Sequence, residues 1–439
     1  MDSFTDKLAV VTGGGSGMGR ELVRQLAAQG CSVAACDVNA GTVAETAALA
    51  RADAPPGVQV TSHACDVSDE EQVLRFRDEL LEQHASDHVD LVFSNAGIGG
   101  GSSFATDLRE HWERAFATDW WGVYYCARAF LPLLIASGDG VLVNTSSVNG
   151  FWATTGPGMP NNAYSTAKFA VRGFSEALIE DLRSNAPQVR VAVVMPGHVG
   201  TDILANTFRA HGVLPEKEHL TDDELAAYRA RLISNGMPED GSAEETRQAL
   251  LQANADFRDK APASAAQAAT IILDGVRSGA WRILVGEDAK MIDTMVRANP
   301  EAAYDYDELA KMAKDKMAGA WSQIADPAAR LRAGLTDLCR SYRAGAGMLT
   351  HIYRDFAALP EAHQQALRDG DTYFRDILTA ALSGAGDEHR LRAVIGHATS
   401  FWTWHSLCLD QGLSDTEAVD AMTGMVLAIT PVPQADPAR

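Results

Sequence analysis

Through the first half of this 439-residue chain, short apolar runs alternate with amphipathic stretches of helix length, and no other feature constrains the fold as much. LAVVTG, SVAACD, VDLVFSN, GVLVNTSS and VRVAVVMPG are runs of β-branched and small residues bounded by turn formers. That is the pattern of strands buried on both faces. Between them, RELVRQLAAQG and EEQVLRFRDELLEQH carry apolar residues at helical spacing. Strand, helix, strand repeated in this way predicts an α/β domain, a doubly wound parallel sheet with helices on both faces. RILVG, near residue 285, supplies one further strand.

Two regions break the alternation. From about Ile203 to Pro262 the chain is rich in Ala, Glu, Arg and Gln, with Pro215 and Pro238 as punctuation; this predicts helices inserted before the last helix and strand. After about Asn299 no strand pattern returns. Four amphipathic segments follow within Asp326–Ile429, separated by Gly or Pro, and predict a second, all-α C-terminal domain. Asp326 or one of its neighbours is placed to cap the first, and Ser414 with Glu417 forms a capping box before the last. The expected organisation is 1–300 for the α/β domain (insert about 203–262), 301–325 for a linker helix and 326–439 for the helical domain. PVPQADPAR reads as a frayed tail.

Composition narrows the function classes. The 37 basic residues fall far short of the 58 acidic ones, a net charge of −21, which repels phosphate backbones and anionic membrane faces and makes nucleic acid a poor partner. No run approaches the ~18 apolar residues of a membrane span, and the start, MDSFTDKLAVVTGGG, has no secretory pattern. Six cysteines without a CxxC pair point to free thiols in a reducing compartment and to no metal site. A soluble cytoplasmic protein is expected.

The chemistry gathers in the first domain. Thr12-Gly13-Gly14-Gly15-Ser16-Gly17-Met18-Gly19 lies between the first strand and the first helix. Glycines there let the backbone approach a pyrophosphate, and the helix start offers unpaired N–H groups and the positive end of its dipole. Asp37 ends the second strand about 20 residues on, where a carboxylate bonds the adenosine ribose hydroxyls. It would also repel the 2′-phosphate of NADP, so NAD is the expected cofactor. Tyr164 and Lys168 stand four apart on a helix and share a face. A free phenol titrates near ~10, and a neighbouring cation lowers that by about 1–3. Ser147 ends the strand GVLVNTSS, on the carboxyl edge where open parallel sheets bind ligands.

With these residues the stretch from about 4 to 298 resembles the short-chain dehydrogenase/reductase family and its Rossmann-like fold. Six ordered signatures carry the resemblance: the TGxxxGxG turn from Thr12 to Gly19, Asp66, Asn95-Ala96-Gly97, Ser147, Tyr164 with Lys168, and Pro196-Gly197-His198-Val199-Gly200-Thr201. The resemblance implies hydride transfer between a nicotinamide and a carbonyl/alcohol pair. Tyr164 would be the general acid or base, Ser147 would hold the substrate oxygen, and Lys168 would bind the nicotinamide ribose and depress the Tyr164 pKa. Cofactor contacts would come from Gly13, Ser16, Gly17, Met18, Gly19, Asp37, Asp66, Val67, Asn95, Ala96, Gly97, Pro196, Gly197, Val199 and Thr201. The family usually has Asn where this chain has Asp119, which would therefore take a supporting catalytic role.

Substrate and tail are less constrained. By the same resemblance Phe151, Trp152, Met159, His198, Ile203, Leu204 and Phe208 line the pocket, an apolar set suited to a hydrophobic secondary alcohol or ketone. They equally suit packing of the insert against the sheet. His198 reads as a local hydrogen-bonding residue. The segment Asp326–Ile429 resembles the ligand-binding half of TetR-family regulators, without their DNA-binding helices. That implies dimerisation through packed helices, with Phe401, Trp402, Trp404 and Tyr353 either lining a pocket or filling a core. A homodimer or homotetramer is expected. The leading function is an NAD-dependent alcohol dehydrogenase or ketone reductase; the alternative is an NAD(H)-binding ligand or redox sensor signalling through its helical tail.

Overall fold

The computed structural model describes residues 1, 3–100, 103–105, 107–154, 156, 160–212, 242–359, 361–382 and 387–430, in two compact units, Met1–Ala303 and Tyr304–Arg439. Met159, Pro215, Pro238 and the PVPQADPAR tail lie outside the described residues.

In the first unit the apolar runs become β1 (Leu8–Thr12), β2 (Ser32–Asp37), β4 (Leu91–Ser94), β5 (Gly140–Thr145), β6 (Val189–Pro196) and β9 (Arg282–Val285), joined by β3 (Val60–Ala64). They form one seven-stranded sheet, ordered β3-β2-β1-β4-β5-β6-β9, with every neighbouring pair parallel. β7 (Val199–Gly200) and β8 (Ala263–Ser264) make a separate parallel pair. Side chains from one face pack as Val11, Leu22, Leu26 and Ile272, and from the other as Val10, Phe76, Phe130 and Leu142. Burial on both faces is why β1 and β5 are apolar without alternation. β3, with sequence VTSHA, escapes that criterion because two of its three buried side chains are polar and bonded: His63 links Thr61 to Glu79.

The helices are α1 (Gly17–Ala28), α2 (Ala40–Asp53), α3 (Glu70–His84), α4 (Arg109–Phe116), α5 (Gly122–Ala136), α6 (Asn162–Asn185), α7 (Ile203–Ala210) and α8 (Ala243–Asp259), with further ones at Ala265–Arg277 and Glu287–Ala298. Asn39 and Asp69 cap α2 and α3 by accepting backbone N–H groups. A π turn, Ala117–Trp121, precedes α5. Strand order reverses between β1 and β4, which opens a crevice at their carboxyl ends. Among the described residues no helix is long and apolar enough to cross a membrane.

The second unit is helical. Trp321, Leu335, Leu378, Ile395, Phe401, Trp404 and Met422 fill its core. Trp321, on the helix Tyr306–Ser322, is 1% exposed in that core. This helix falls within the second unit, Tyr304–Arg439. Asp326 caps Pro327–Ala344, and Ser414 with Glu417 makes the capping box of Asp415–Leu427. Of the four aromatics considered for a ligand pocket, Phe401 and Trp404 are buried core, Tyr353 stacks on Phe401 at 5.0 Å and Trp402 is exposed. The Trp404 indole N–H donates to Asp415, which also accepts from Arg343. Packing, not a shared cavity, accounts for this cluster.

Candidate active site

Three loops meet at the crevice, and the glycine turn after β1 shapes it. Gly13 (φ 66°) and Gly17 (φ 53°) hold left-handed backbone. A Cβ on Gly13 would stand 2.8 Å from the Ala96 Cα, and one on Gly17 would stand 3.0 Å from the Thr201 side chain. A Cβ on Gly19 would lie 2.0 Å from the Gly13 carbonyl oxygen. The turn is therefore wedged between the Asn95-Ala96-Gly97 loop and Thr201. Thr12, which opens the glycine turn, ties the first two loops: its hydroxyl accepts from the Asn95 and Ala96 N–H groups at 3.0 Å each, and the Asn95 amide donates to its carbonyl at 3.1 Å. The Asn95 Oδ1 is buried with no partner among the described residues.

Ser16 begins α1 without a side-chain cap, its hydroxyl accepting instead from the Asn206 amide at 3.1 Å, so the first-turn N–H groups stay open to the crevice. Asp37 accepts from the Gly15 N–H at 3.0 Å and the Asn39 N–H at 2.9 Å, which sets it beside the turn. Asp66 is fixed by the Ser68 N–H and hydroxyl, and Val67 is buried next to it. Met18 packs on the sheet from α1. The open helix end and the orphaned Asn95 oxygen both fit a dinucleotide cofactor.

The Pro196–Thr201 segment follows β6 and is held by residues that carry no sequence signal. The Gly197 N–H donates to Val285, and the His198 N–H donates to Asp288 at 2.6 Å. A Cβ on Gly197 would come 2.2 Å from the Asp288 carboxylate. The His198 ring bonds the Phe257 carbonyl on α8 at 2.7 Å, which is the local hydrogen-bonding role expected of it. Asp288 sits in the first turn of a helix 90 residues away, so only the fold brings it here.

Ser147, two residues past the end of β5, is 6% exposed and accepts from the Asn149 N–H. Tyr164 and Lys168 share one face of α6, with the Lys168 Nζ 5.4 Å from the Tyr164 ring centre. That ammonium donates to the Thr145 carbonyl at 3.1 Å and stands 3.4 Å from the Asp119 Oδ1. Asp119, in the π turn, is fully buried; its Oδ1 accepts from the Ile98 N–H at 3.0 Å. Burial pushes the Asp119 carboxyl up to about 6, against the opposing pull of Lys168 and the Ile98 N–H. The expected depression of the Tyr164 pKa is corrected in one respect. Burial raises the phenol above its ordinary value, Lys168 and then the Ser147 hydroxyl act to lower it, and Asp119 raises it. Lys168 pulls in the expected direction without prevailing.

The pocket residues divide. Phe151 is buried with Val193 and Met195 beneath the Arg282 guanidinium, the Trp152 indole donates to the Ala303 carbonyl at 2.6 Å, and Phe208 is buried. These three pack the domain. Ile203 and Leu204 remain half-buried at the start of α7. That helix is tied to the loop after β4 through Thr207, whose hydroxyl accepts from the Gly99 N–H at 2.7 Å.

Residues 7–212 match the family model "short chain dehydrogenase". The chain is 35% identical over 297 residues to "Putative oxidoreductase SadH" of Mycobacterium tuberculosis, covering 68% of this chain and 92% of that protein. It is 28% identical over 239 residues to human "Dehydrogenase/reductase SDR family member 11", covering 54% and 89%. Among solved structures, a short chain dehydrogenase/reductase from Burkholderia phymatum in complex with NAD superposes with a TM-score of 0.52 at 28% identity, covering 69% of this chain and 95% of that one.

Proposed function

The chain belongs to the short chain dehydrogenase family of oxidoreductases, and from that premise we propose that it is an NAD-dependent alcohol dehydrogenase or ketone reductase acting on a hydrophobic secondary alcohol or its ketone. The observation that carries the reading is the convergence of Ser147, Tyr164 and Lys168 beside a glycine-turn crevice. NAD, when bound, supplies the hydride acceptor. The chain's own part is to bind, orient and move one proton. Ser147 holds the substrate oxygen, and Tyr164 exchanges a proton with it. Lys168, immobilised by the Thr145 carbonyl, keeps a positive charge beside the phenol and binds the nicotinamide ribose.

Asp37 supports NAD over NADP, because a carboxylate at the end of β2 accepts from ribose hydroxyls and repels a 2′-phosphate. Half-buried Ile203 and Leu204 support an apolar substrate. Exposed Trp121 and Phe169, on the π turn and α6, support pairing of subunits into a homodimer or homotetramer. The second unit, which resembles the helical half of TetR-family regulators, would serve assembly. A sensor remains the second reading, favoured by the carboxylate Asp119 beside Lys168.

The test is absorbance at the reduced-nicotinamide band with NAD and a panel of secondary alcohols, comparing the wild type with Tyr164→Phe. Loss of about 10²–10⁴-fold in kcat with NAD binding retained is expected. Undiminished turnover by Tyr164→Phe refutes the assignment. Tight NAD binding with no turnover in either protein favours the sensor.

A further inference from the structure

We propose that Asp119 is a positioning residue that binds the Lys168 ammonium directly and offsets its charge, leaving less positive charge to act on the Tyr164 phenol that faces the pair. The functional consequence rests on the hydride-transfer reading; the electrostatic one does not.

The pair is enclosed. Lys168 is 2% exposed and Asp119 is fully buried, so solvent screens little of their interaction. Their separation is 3.4 Å, and each partner is pinned from elsewhere: the ammonium by the Thr145 carbonyl of β5, the carboxylate by the Ile98 N–H. Gly97 makes the contact possible, since a Cβ there would stand 2.6 Å from the Asp119 Oδ1 and 3.3 Å from the Lys168 Nζ. The π turn swings the carboxylate inward, and local insertions of this kind redirect side chains at functional sites.

The consequence for the phenol follows from which groups face it. α6 presents Lys168, the π turn before α5 presents Asp119, and the loop just past β5 presents the Ser147 hydroxyl. The loop after β4 contributes the Ile98 N–H, already committed to Asp119. Among the described residues, the charges acting on the phenol are thus one cation and one anion. A lone ammonium would stabilise the phenolate; an ammonium sharing its pocket with a carboxylate does so less. The second carboxylate oxygen, Oδ2, has no partner among the described residues and is where a proton would sit when Asp119 is neutral.

The experiment reads the phenol itself. The tyrosinate ultraviolet band is titrated in wild type and Asp119→Asn, each as the difference from the same background carrying Tyr164→Phe. Asp119→Asn should make the phenol about tenfold more acidic, and Asp119→Ser, smaller and also neutral, should shift it in the same sense. In the pH profile of kcat/KM for alcohol oxidation, the limb that rises with pH should move down by the same amount. A phenol titration that is unchanged or moves upward in both variants overturns the proposal. Absence of turnover in the wild type would defeat the dehydrogenase reading alone, because the band titration needs no substrate.

Discussion

Replacing Gly97 by alanine perturbs the site at one methyl group, and the outcome can be worked from distances. The added Cβ would stand 2.6 Å from the Asp119 Oδ1, where ordinary contact begins at 3.4 Å. Neither neighbour is free to retreat. Asp119 is fully buried and bonded to the Ile98 N–H, and Lys168 is 2% exposed and bonded to the Thr145 carbonyl. Overpacking of this kind costs about 1–3 kcal/mol. At about 2.1 cal/mol/K of unfolding entropy per residue, the first unit, Met1–Ala303, loses about 1.6 °C per kcal/mol, so a fall of about 2–5 °C is expected. The assay is thermal unfolding of the full chain, followed by loss of NAD binding so that the first unit is read separately from the helical one. Gly173→Ala is the control: it lies mid-helix in α6 with nothing within 4 Å of its Cβ, and should gain about 0.5–1 kcal/mol. The decisive measurement is a double-mutant cycle with Asp119→Ala, which removes the oxygen that is struck. In that background most of the Gly97→Ala penalty should vanish. An equal penalty in both backgrounds would refute the claim that Gly97 is kept for the Asp119–Lys168 contact.

Asp37→Asn keeps an oxygen to accept from Gly15 but removes the charge; the ratio of kcat/KM for NADP to that for NAD should rise by about 10–100-fold, a gain of roughly 1.4–2.7 kcal/mol in discrimination. An unchanged ratio would mean the carboxylate does not face the ribose. His84, half-buried beside the Thr61 hydroxyl, is lowered by burial from 6.5 to about 4. Because the folded value is the lower one, its contribution is fully present above pH 6.5 and is lost as the pH falls towards 4. At about 1.4 kcal/mol per pH unit the full shift corresponds to about 3.5 kcal/mol; water reaching the half-buried ring screens part of it, so on the order of 2–3 kcal/mol is expected, and His84→Gln should flatten that part of the urea-measured stability profile. A slope unchanged by the substitution would place the acid sensitivity elsewhere.

What the sequence settles alone is everything written in local, repeated pattern. Apolar runs at Leu8–Thr12 and Gly140–Thr145, helical periodicity between them, the glycine turn before α1 and the Ser414 capping box each depend on neighbours a few residues away. The four-residue spacing of Tyr164 and Lys168 is of the same kind. β3 was hidden because its buried face is polar, and such a face looks exposed until His63 finds Thr61 and Glu79. The helix Tyr306–Ser322 carries no strong amphipathic signal of its own, and Trp321 with Met317 packs it on the helical core. Tertiary structure alone decided which groups share an enclosure. Asp288 reaches His198 across 90 residues, Asp119 reaches Lys168 through a π turn, and Phe151 and Phe208 are drawn into packing. It also decided the sign of the Tyr164 shift, since a lysine four residues away is visible in the chain but the burial that outweighs it is not. Charge and solvent exclusion act through space, and a one-dimensional pattern records only distance along the chain.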